Sequence, residues 1–374
     1  MKIVKVRSPF IIQVNETGQI GSKIEVFIWN NGASEPSTPT YTLSKPIPTV
    51  NQRLTSYNVS NFVKEYIDNI APTYANFPGG IEEANEYCIF RVKRYYLNSS
   101  SVYVLLSNDV YYGVNGYTDY MDGLQNPVET KLALLSNTNI KKTYYSQSTY
   151  PDGLIQYVNL LVDKPTATTT IVNIKYERID GVTYSNSSNF AVGFTGVYNI
   201  KIPISLIKID GNFINGCKVT ITYTPATGSN IVTSFFTYPI EECKYTPVLC
   251  DFVNSYGGWE TLTLFKAQTN TLQTKKETYK LSPEAVNYNV LRGQSKSFNH
   301  SGTKAIKINT GFVEENYRDL LTELLLSETI LLDRKPVKIK TESLELKTIL
   351  KDKLINYELE FEYAYNIIND VVWF

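Results

Sequence analysis

The chain has 374 residues, and its 36 lysines and arginines balance 36 aspartates and glutamates, so its formal net charge is zero. A neutral chain has no long-range field that would attract nucleic acid or an anionic membrane surface, and we expect neither as a partner. Only 19% of the residues are charged and 13% are aromatic, including 29 tyrosines, which excludes a disordered chain. The length predicts two or three domains.

The first 129 residues are predicted to form a β-sandwich-like domain. Alternating apolar runs at residues 10–14 and 24–28 flank a turn at residues 16–18, which predicts a hairpin with one buried face. Ser60 is placed to cap a short helix over residues 61–68. The other strands predicted in this domain cover residues 41–44, 87–97 and 102–106.

Residues 108–127 are predicted to form a long loop, because periodicity vanishes there and Gly, Asn, Asp and Tyr dominate. Most tyrosines of the chain are expected to serve the sheets, since tyrosine is a preferred strand residue. Tyrosines that cluster without periodicity are better candidates for anchoring a protein interface. Those in this loop are Tyr111, Tyr112, Tyr117 and Tyr120.

Residues 130–250 are predicted to form a second β-sandwich-like domain, because short apolar segments recur there with turn residues between them. The predicted strands cover residues 131–135, 154–162, 168–176, 198–202, 218–223 and 232–238.

Residues 251–374 are predicted to form a C-terminal α+β domain with one long amphipathic helix and an antiparallel sheet. Apolar side chains at helical spacing from Tyr317 to Leu325 predict a helix over residues 314–327. A strand is predicted to open at Pro336, and residues 355–363 alternate apolar residues with glutamates. We expect lysine and glutamate rows on neighbouring strands to pair.

The string from Cys250 to Trp259 contains an aromatic–Gly–Gly–Trp sequence directly before a predicted strand at residues 260–266. This arrangement predicts a tight turn held against a core, a role that can be architectural only. Aromatic side chains also anchor interfaces, so Tyr256 and Trp259 join the interface candidates.

Catalytic chemistry has little support in the sequence. His300 is the only histidine, which excludes a two-histidine metal site, and its neighbours are typical of a turn. No glycine motif for binding phosphate occurs. Asn115, Asp119 and Asp122 could hold calcium, although a solvated loop is the more frequent setting for such residues. We therefore assign no catalytic residue, no metal and no cofactor.

A carboxylate pair for glycoside hydrolysis is set in space and not in sequence, so it stays open. The available carboxylates are Glu82, Glu83, Glu241 and Glu242, although solvated surface positions are the commoner role of such residues. The four cysteines form no Cys-x-x-Cys pair, which favours buried reduced thiols over a disulfide framework. The N-terminal residues lack the apolar run of a secretory signal, and we expect no export.

Three segments together resemble virion proteins from the tail or tail tip of tailed bacteriophages, of the sort seen in phages of Bacteroidetes-type hosts. The first combines residues 6–10 with residues 56–60, and the second is residues 252–259. The third is the C-terminal helix followed by residues 336–339 and 354–364. The resemblance implies ring-like or trimeric assembly with other virion proteins and implies no catalytic residues.

The expected function is accordingly that of a non-enzymatic subunit of a phage tail, baseplate or tail tip, assembled in the host cytoplasm into the virion. One alternative is a carbohydrate-binding or adhesin-like module that recognises the host surface through exposed aromatic residues. A depolymerase that uses two carboxylates is the third possibility.

Overall fold

The computed structural model describes residues 1–30, 33–47, 49, 51–68, 81–84, 86–138, 142–145, 156–163, 170–180, 185–192, 196–202, 215–225, 229–240, 244–282, 291, 293–313, 315, 317–345 and 355–368. This part of the chain is mainly β, as the sequence predicted. It divides into two compact units. The first comprises Met1–Glu241, Phe252–Leu262 and Leu326–Glu328. The second comprises Glu242–Asp251, Thr263–Leu325 and Thr329–Phe374. The division into three domains at residues 129 and 250 stays a prediction.

Strands up to residue 240 all belong to the first unit. They are β1 (Ile3–Lys5), β2 (Ile11–Val14), β3 (Gly21–Asn30), β4 (Tyr41–Pro46), β5 (Thr55–Asn58), β6 (Ile81–Ala84), β7 (Tyr87–Leu97), β8 (Tyr103–Val114), β9 (Leu132–Leu134), β10 (Lys142–Tyr145), β11 (Gln156–Val162), β12 (Thr170–Arg178), β13 (Ser185–Val192), β14 (Gly196–Ile202), β15 (Cys217–Thr224) and β16 (Ile231–Ile240). The hairpin strands β17 (Val248–Val253) and β18 (Trp259–Leu264) follow.

A five-stranded sheet of order β1-β8-β7-β3-β4 and a two-stranded sheet of β2 and β5 share one core. The predicted hairpin between residues 10–14 and 24–28 is therefore wrong, because β2 pairs with β5 and β3 pairs with β4 and β7. Both runs bury one face in the same core from different sheets. The turn between them is held by the buried Gln19 side chain, whose amide donates to the carbonyls of Val14 and Arg53.

The short helix α1 spans Ser60–Lys64 in this core. Ser60 is its first helical residue and not its N-cap, so the predicted capping role is wrong. The N-cap is Val59, and the Asn58 Oδ1 atom before it accepts from the Ser60 amide (3.2 Å) and hydroxyl (2.8 Å).

Two further sheets, of orders β10-β16-β15-β12-β13 and β6-β14-β11-β9, complete the first unit. Each strand predicted between residues 130 and 250 coincides with an observed strand, which confirms those predictions. Strand β13 was not predicted, because its first residues, Ser185–Asn189, are serine and asparagine. It forms as the antiparallel partner of β12.

The second unit holds the helix α2 (Tyr317–Leu325) and the strands β19 (Gln268–Lys280), β20 (Ser295–Val313), β21 (Ile330–Leu332), β22 (Lys335–Ile339) and β23 (Ile355–Tyr363). These strands run in the order β21-β22-β23-β20-β19 within a seven-stranded sheet. The predicted alternation in β23 is confirmed, and the expected lysine–glutamate pairs form between Lys307 and Glu358 (2.9 Å) and between Lys340 and Glu360 (3.0 Å).

The helix ends two residues earlier than predicted. Leu326 is exposed, and the Ser327 hydroxyl accepts a hydrogen bond from the Val253 amide, so neither residue continues the apolar stripe. His300 also differs from expectation, because it lies within strand β20 and not in a turn. Its imidazole is exposed and its Nε2 atom lies 2.9 Å from the Ser297 hydroxyl.

Three cysteines, Cys88, Cys217 and Cys250, are buried free thiols, as predicted, and Cys243 lies outside the described residues. Burial raises the pKa of the Cys88 and Cys217 thiols to about 12, and it also raises the pKa of Cys250. Since only the thiolate reacts, native thiols of this kind are inert near neutral pH.

In a Cys243→Ser background, we expect no thiol of the native protein to react with a disulfide reagent at pH 8. Three thiols per chain should react after unfolding in guanidinium, which provides the internal control. Because folding raises the pKa of the Cys88 and Cys217 thiols, their contribution to the free energy of unfolding is fully present below about pH 9. It declines as the pH rises from about 9 towards 12. Stoichiometric labelling of the folded protein would contradict the buried placement.

Candidate functional site

The aromatic cluster predicted as a long loop is in part a strand. β8 continues to Val114. Residues 108–114 pair with β7, and residues 112–114 also pair with β1. The prediction of a loop over residues 108–127 is wrong for this part, because these residues extend the hairpin with β7 and, at residues 112–114, gain a second partner from β1, which is distant in sequence. Irregular structure begins at Asn115, and residues 115–130 are called the Tyr120 loop below.

Tyr111 is a core residue of the first unit. Its ring lies 5.0 Å from that of Phe10 and 5.3 Å from that of Phe90, and its side chain is buried. Tyr112 points to the other face and stacks on Tyr87 at 6.2 Å. Burial raises the pKa of both Tyr111 and Tyr112. Neither phenol is presented to a partner as an exposed anchor.

The Gln125 side chain fixes the base of the Tyr120 loop to the segment after β1. Its Oε1 atom accepts from the Lys5 amide (2.9 Å), and its Nε2 atom donates to the carbonyls of Lys5 (2.9 Å), Ser8 (3.1 Å) and Pro9 (3.3 Å). The Ser8 hydroxyl also accepts from the Thr118 amide (2.9 Å). The loop is therefore braced by hydrogen bonds on both sides of its tip.

A second support comes from the turn between β17 and β18. The Tyr117 amide donates to the Ser255 carbonyl (2.9 Å), and a Cβ atom on Gly116 would lie 2.5 Å from the same oxygen. Only glycine allows this close approach of two backbones. The Arg7 guanidinium lies over the Tyr117 ring at 5.1 Å, so Tyr117 is half-buried at the base of the loop.

This turn, residues 254–258, is organised by the buried Asn254 side chain. Its Oδ1 atom accepts from the amides of Tyr256 (2.9 Å) and Gly258 (3.1 Å), and its Nδ2 atom donates to the Leu135 carbonyl (3.0 Å). Trp259 follows with 1% of its surface exposed. The predicted tight turn against a core is confirmed, and Trp259 lies inside that core.

The tip of the Tyr120 loop exposes apolar side chains. It contains a 3₁₀ turn over Tyr120–Asp122. The exposed fractions are 94% for Tyr120, 87% for Met121, 66% for Leu124 and 78% for Val128. Tyr120 was a candidate in the sequence, whereas the three aliphatic side chains were missed because the flanking Gly, Asn and Asp residues dominate the pattern.

Asp119 and Asp122 hold this 3₁₀ turn in shape. The Asp119 carboxylate accepts from the Met121 amide (2.8 Å), and the Asp122 carboxylate accepts from the Asp119 amide (3.2 Å). Asn115, the third calcium candidate, is buried and away from this exposed cap. Among the described residues, no three His, Cys, Asp or Glu side chains come together as a metal site would need.

A groove of about 440 Å³ lies beside the loop, and most of its wall is apolar. Ile3, Leu134 and Val128 line it together with Tyr256. The Lys5 ammonium lies 4.3 Å from the centre of the Tyr256 ring, which orients that half-buried side chain. Tyr256 thus supports the surface next to the exposed tip.

The carboxylates weighed for glycoside hydrolysis cannot be placed together. The described part of the structure does not include the side chains of Glu82 and Glu83, and it includes neither Glu241 nor Glu242.

No model of a known protein family matches the chain, and the search of curated proteins gave no match. Neither helix in the described residues is long and apolar enough to cross a membrane.

Proposed function

We propose that this protein is a non-enzymatic structural subunit of a bacteriophage tail, baseplate or tail tip, assembled into the virion in the host cytoplasm. It acts by associating with copies of itself, as a ring or trimer, and with other virion proteins. Two β-sandwich-like domains and a C-terminal α+β domain are the layout that goes with this proposal. The sequence resemblance at both ends and in residues 252–259 supports it.

The structural observation that carries the proposal is the Tyr120 loop. Four apolar side chains are exposed together on a segment whose base is fixed by Gln125 and by the turn at residues 254–258. Clustered exposed apolar side chains mark interaction surfaces. A loop already held in one conformation loses little entropy on binding, so most of the burial energy goes into affinity.

We expect the double variant Tyr120→Asp/Met121→Asp to abolish assembly without changing the melting temperature. Both side chains are exposed, so charging them leaves the fold intact and places two carboxylates in an apolar contact. Mass photometry at two protein concentrations should show a defined oligomer for the parent protein and a 42.5 kDa species for the variant.

The matched control is Val102→Asp/Tyr103→Asp, which charges an exposed apolar pair elsewhere in the first unit. It should leave the oligomer unchanged. A parent protein that is monomeric at both concentrations would remove self-assembly from the proposal. Equal loss in the control would show that surface apolarity in general, and not the Tyr120 loop, drives association.

The exposed Tyr120 ring also favours the second candidate, a carbohydrate-binding module of the adhesin type, since such rings stack on sugars. Glycan screening distinguishes the two functions. Binding that survives dilution to monomer and is lost in Tyr120→Ala would support recognition of a host-surface glycan.

A further inference from the structure

Strands β19 and β20 form a long antiparallel ribbon that the sequence had not predicted. All 13 residues of β19 are exposed, as are residues 297–300 of β20. β19 lies at the edge of its sheet and pairs only with β20 among the described strands. At about 3.3 Å per residue, 13 residues extend about 40 Å. A two-stranded ribbon without a core is only marginally stable in water. A partner that covers one face of this ribbon would add the packing that the ribbon lacks.

The ribbon is basic although the chain is neutral. Residues 268–280 and 295–304 of the ribbon carry five lysines and one glutamate, which gives a net charge of +4. Since the whole chain sums to zero, the remainder carries −4. The lysines are Lys275, Lys276, Lys280, Lys296 and Lys304, and none of them forms an ion pair with a described residue. Lys307, at the base of the ribbon, is paired with Glu358.

The register separates these lysines onto two faces. Side chains of one strand alternate, so Leu272, Lys276 and Lys280 share a face, and Lys304 joins them because it lies opposite Leu272. This set is called the lysine face. A bulge sets Asn299 and His300 against Lys276 and leaves the alternation of β19 intact.

The opposite face is already occupied by contacts of its own. Tyr279 and Phe298 pack edge to face at 5.5 Å, and Glu277 on this face accepts from the side-chain amide of Asn299 in the bulge (3.3 Å). The lysine face instead carries exposed apolar side chains at one end. The exposed side chains of Leu272 and Ile367 lie on the same side of Gly302. A Cβ atom built on Gly302 would lie 3.6 Å from the Leu272 Cδ1 atom and 3.4 Å from the Ile367 Cδ1 atom. The lysine face therefore combines an apolar anchor with lysines that form no ion pair within the described part of the chain.

We propose that the lysine face is a docking surface for an acidic polypeptide segment of a partner protein. Along β19, the positions of Lys304 (opposite Leu272), Lys276 and Lys280 follow one another at steps of four residues, or about 13 Å. An extended polypeptide presents every fourth side chain at the same interval, so acidic residues in that pattern would meet Lys304, Lys276 and Lys280 in turn. Duplex DNA carries a charge for about every 1.7 Å of its axis, which three lysines so widely spaced match poorly.

Edge-to-edge pairing with a second copy is disfavoured, because like charges on facing strands repel and lysines on an edge are a known defence against such pairing. The inference is independent of the Tyr120 loop and of the proposed function, because it concerns another unit of the chain and another chemistry.

The test uses the full chain with fluorescently labelled poly-L-glutamate as the probe, measured by fluorescence anisotropy in 50 mM NaCl, with a labelled DNA duplex in parallel. Lys276→Glu/Lys280→Glu should weaken poly-L-glutamate binding at least tenfold. The control Lys45→Glu/Lys335→Glu makes the same charge change at exposed lysines of β4 and β22 and should change binding less than twofold. Lys275→Glu/Lys296→Glu, on the opposite face, should have the smaller effect of the two ribbon variants.

Circular dichroism spectra and melting temperatures should be the same for all variants, because every substituted lysine is at least partly exposed. Absence of poly-L-glutamate binding by the parent protein would overturn the proposal. Equal weakening in the Lys45/Lys335 control would overturn it too, because binding would then depend on the net charge of the protein and not on the lysine face. Tighter binding of DNA that the Lys276/Lys280 variant loses would overturn it in favour of a nucleic-acid surface.

Discussion

Replacing Trp259 by alanine is expected to lower the free energy of unfolding by about 3–5 kcal/mol, the usual loss for a large aromatic side chain in a core. Trp259 is among the largest fully buried side chains of the chain, with 1% of its surface exposed. Its removal leaves a cavity that the strands around it cannot fill. Urea unfolding followed by circular dichroism measures the change.

Two comparisons make this result specific. Trp259→Phe should retain most of the stability, since much of the buried ring is kept and the indole nitrogen has no hydrogen-bond partner among the described residues. Trp29→Ala removes an indole that is only half-buried and should lose less. An unchanged unfolding curve for Trp259→Ala, combined with lost assembly, would instead return Trp259 to the interface.

Replacing Asn254 by alanine is expected to have the second largest effect, about 3 kcal/mol or more. The buried Gly258 amide, the part-buried Tyr256 amide and the buried Leu135 carbonyl lose their partner in this variant. Each buried polar group left without a hydrogen bond costs about 1–3 kcal/mol. The turn it organises also supports the Tyr120 loop through Ser255 and Tyr117, so proteolysis within the loop should become faster.

Asn98 offers a matched control for the burial of these bonds. Its side chain accepts from the amides of Ser100 and Val102 at 3.0 Å each, two and four residues on as in Asn254, but both of these hydrogen bonds are exposed. Water can replace an exposed partner, so Asn98→Ala should lose about 1 kcal/mol or less. Equal losses for the two variants would show that the burial of Asn254 contributes nothing.

The two proposed contact surfaces, the Tyr120 loop and the lysine face, lie on different units and differ in chemistry. The loop offers a rigid apolar tip on the first unit, and the ribbon offers spaced positive charges beside Leu272 on the second. Separate surfaces of this kind are what the proposed role of a subunit with several neighbours requires. The Tyr120/Met121 variant tests only the loop, and the Lys276/Lys280 variant tests only the ribbon. The result of one experiment therefore does not depend on the result of the other.

The sequence by itself determined the elements whose signal is local. β23 follows from strict alternation over residues 355–363, because one buried face repeats every second residue in a strand. β7 follows from the apolar and aromatic residues that dominate residues 87–97. The turn at residues 254–258 follows from its glycines. The mainly β class and the absence of a disordered composition needed no structure either.

Tertiary structure alone decided which strands pair and which aromatic side chains reach the surface. Residues 10–14 and 24–28 carry the pattern of a hairpin, yet the shared core places them in different sheets. Tyr111 and Tyr120 lie in the same Gly/Asn/Asp-rich string. The pairing of β8 with β7 places Tyr111 against Phe10 and Phe90 in the core, whereas Tyr120 lies beyond the strand and is exposed. The physical reason is that alternation records burial on one face, while partners across a sheet and neighbours across a core are set by residues far apart in the chain.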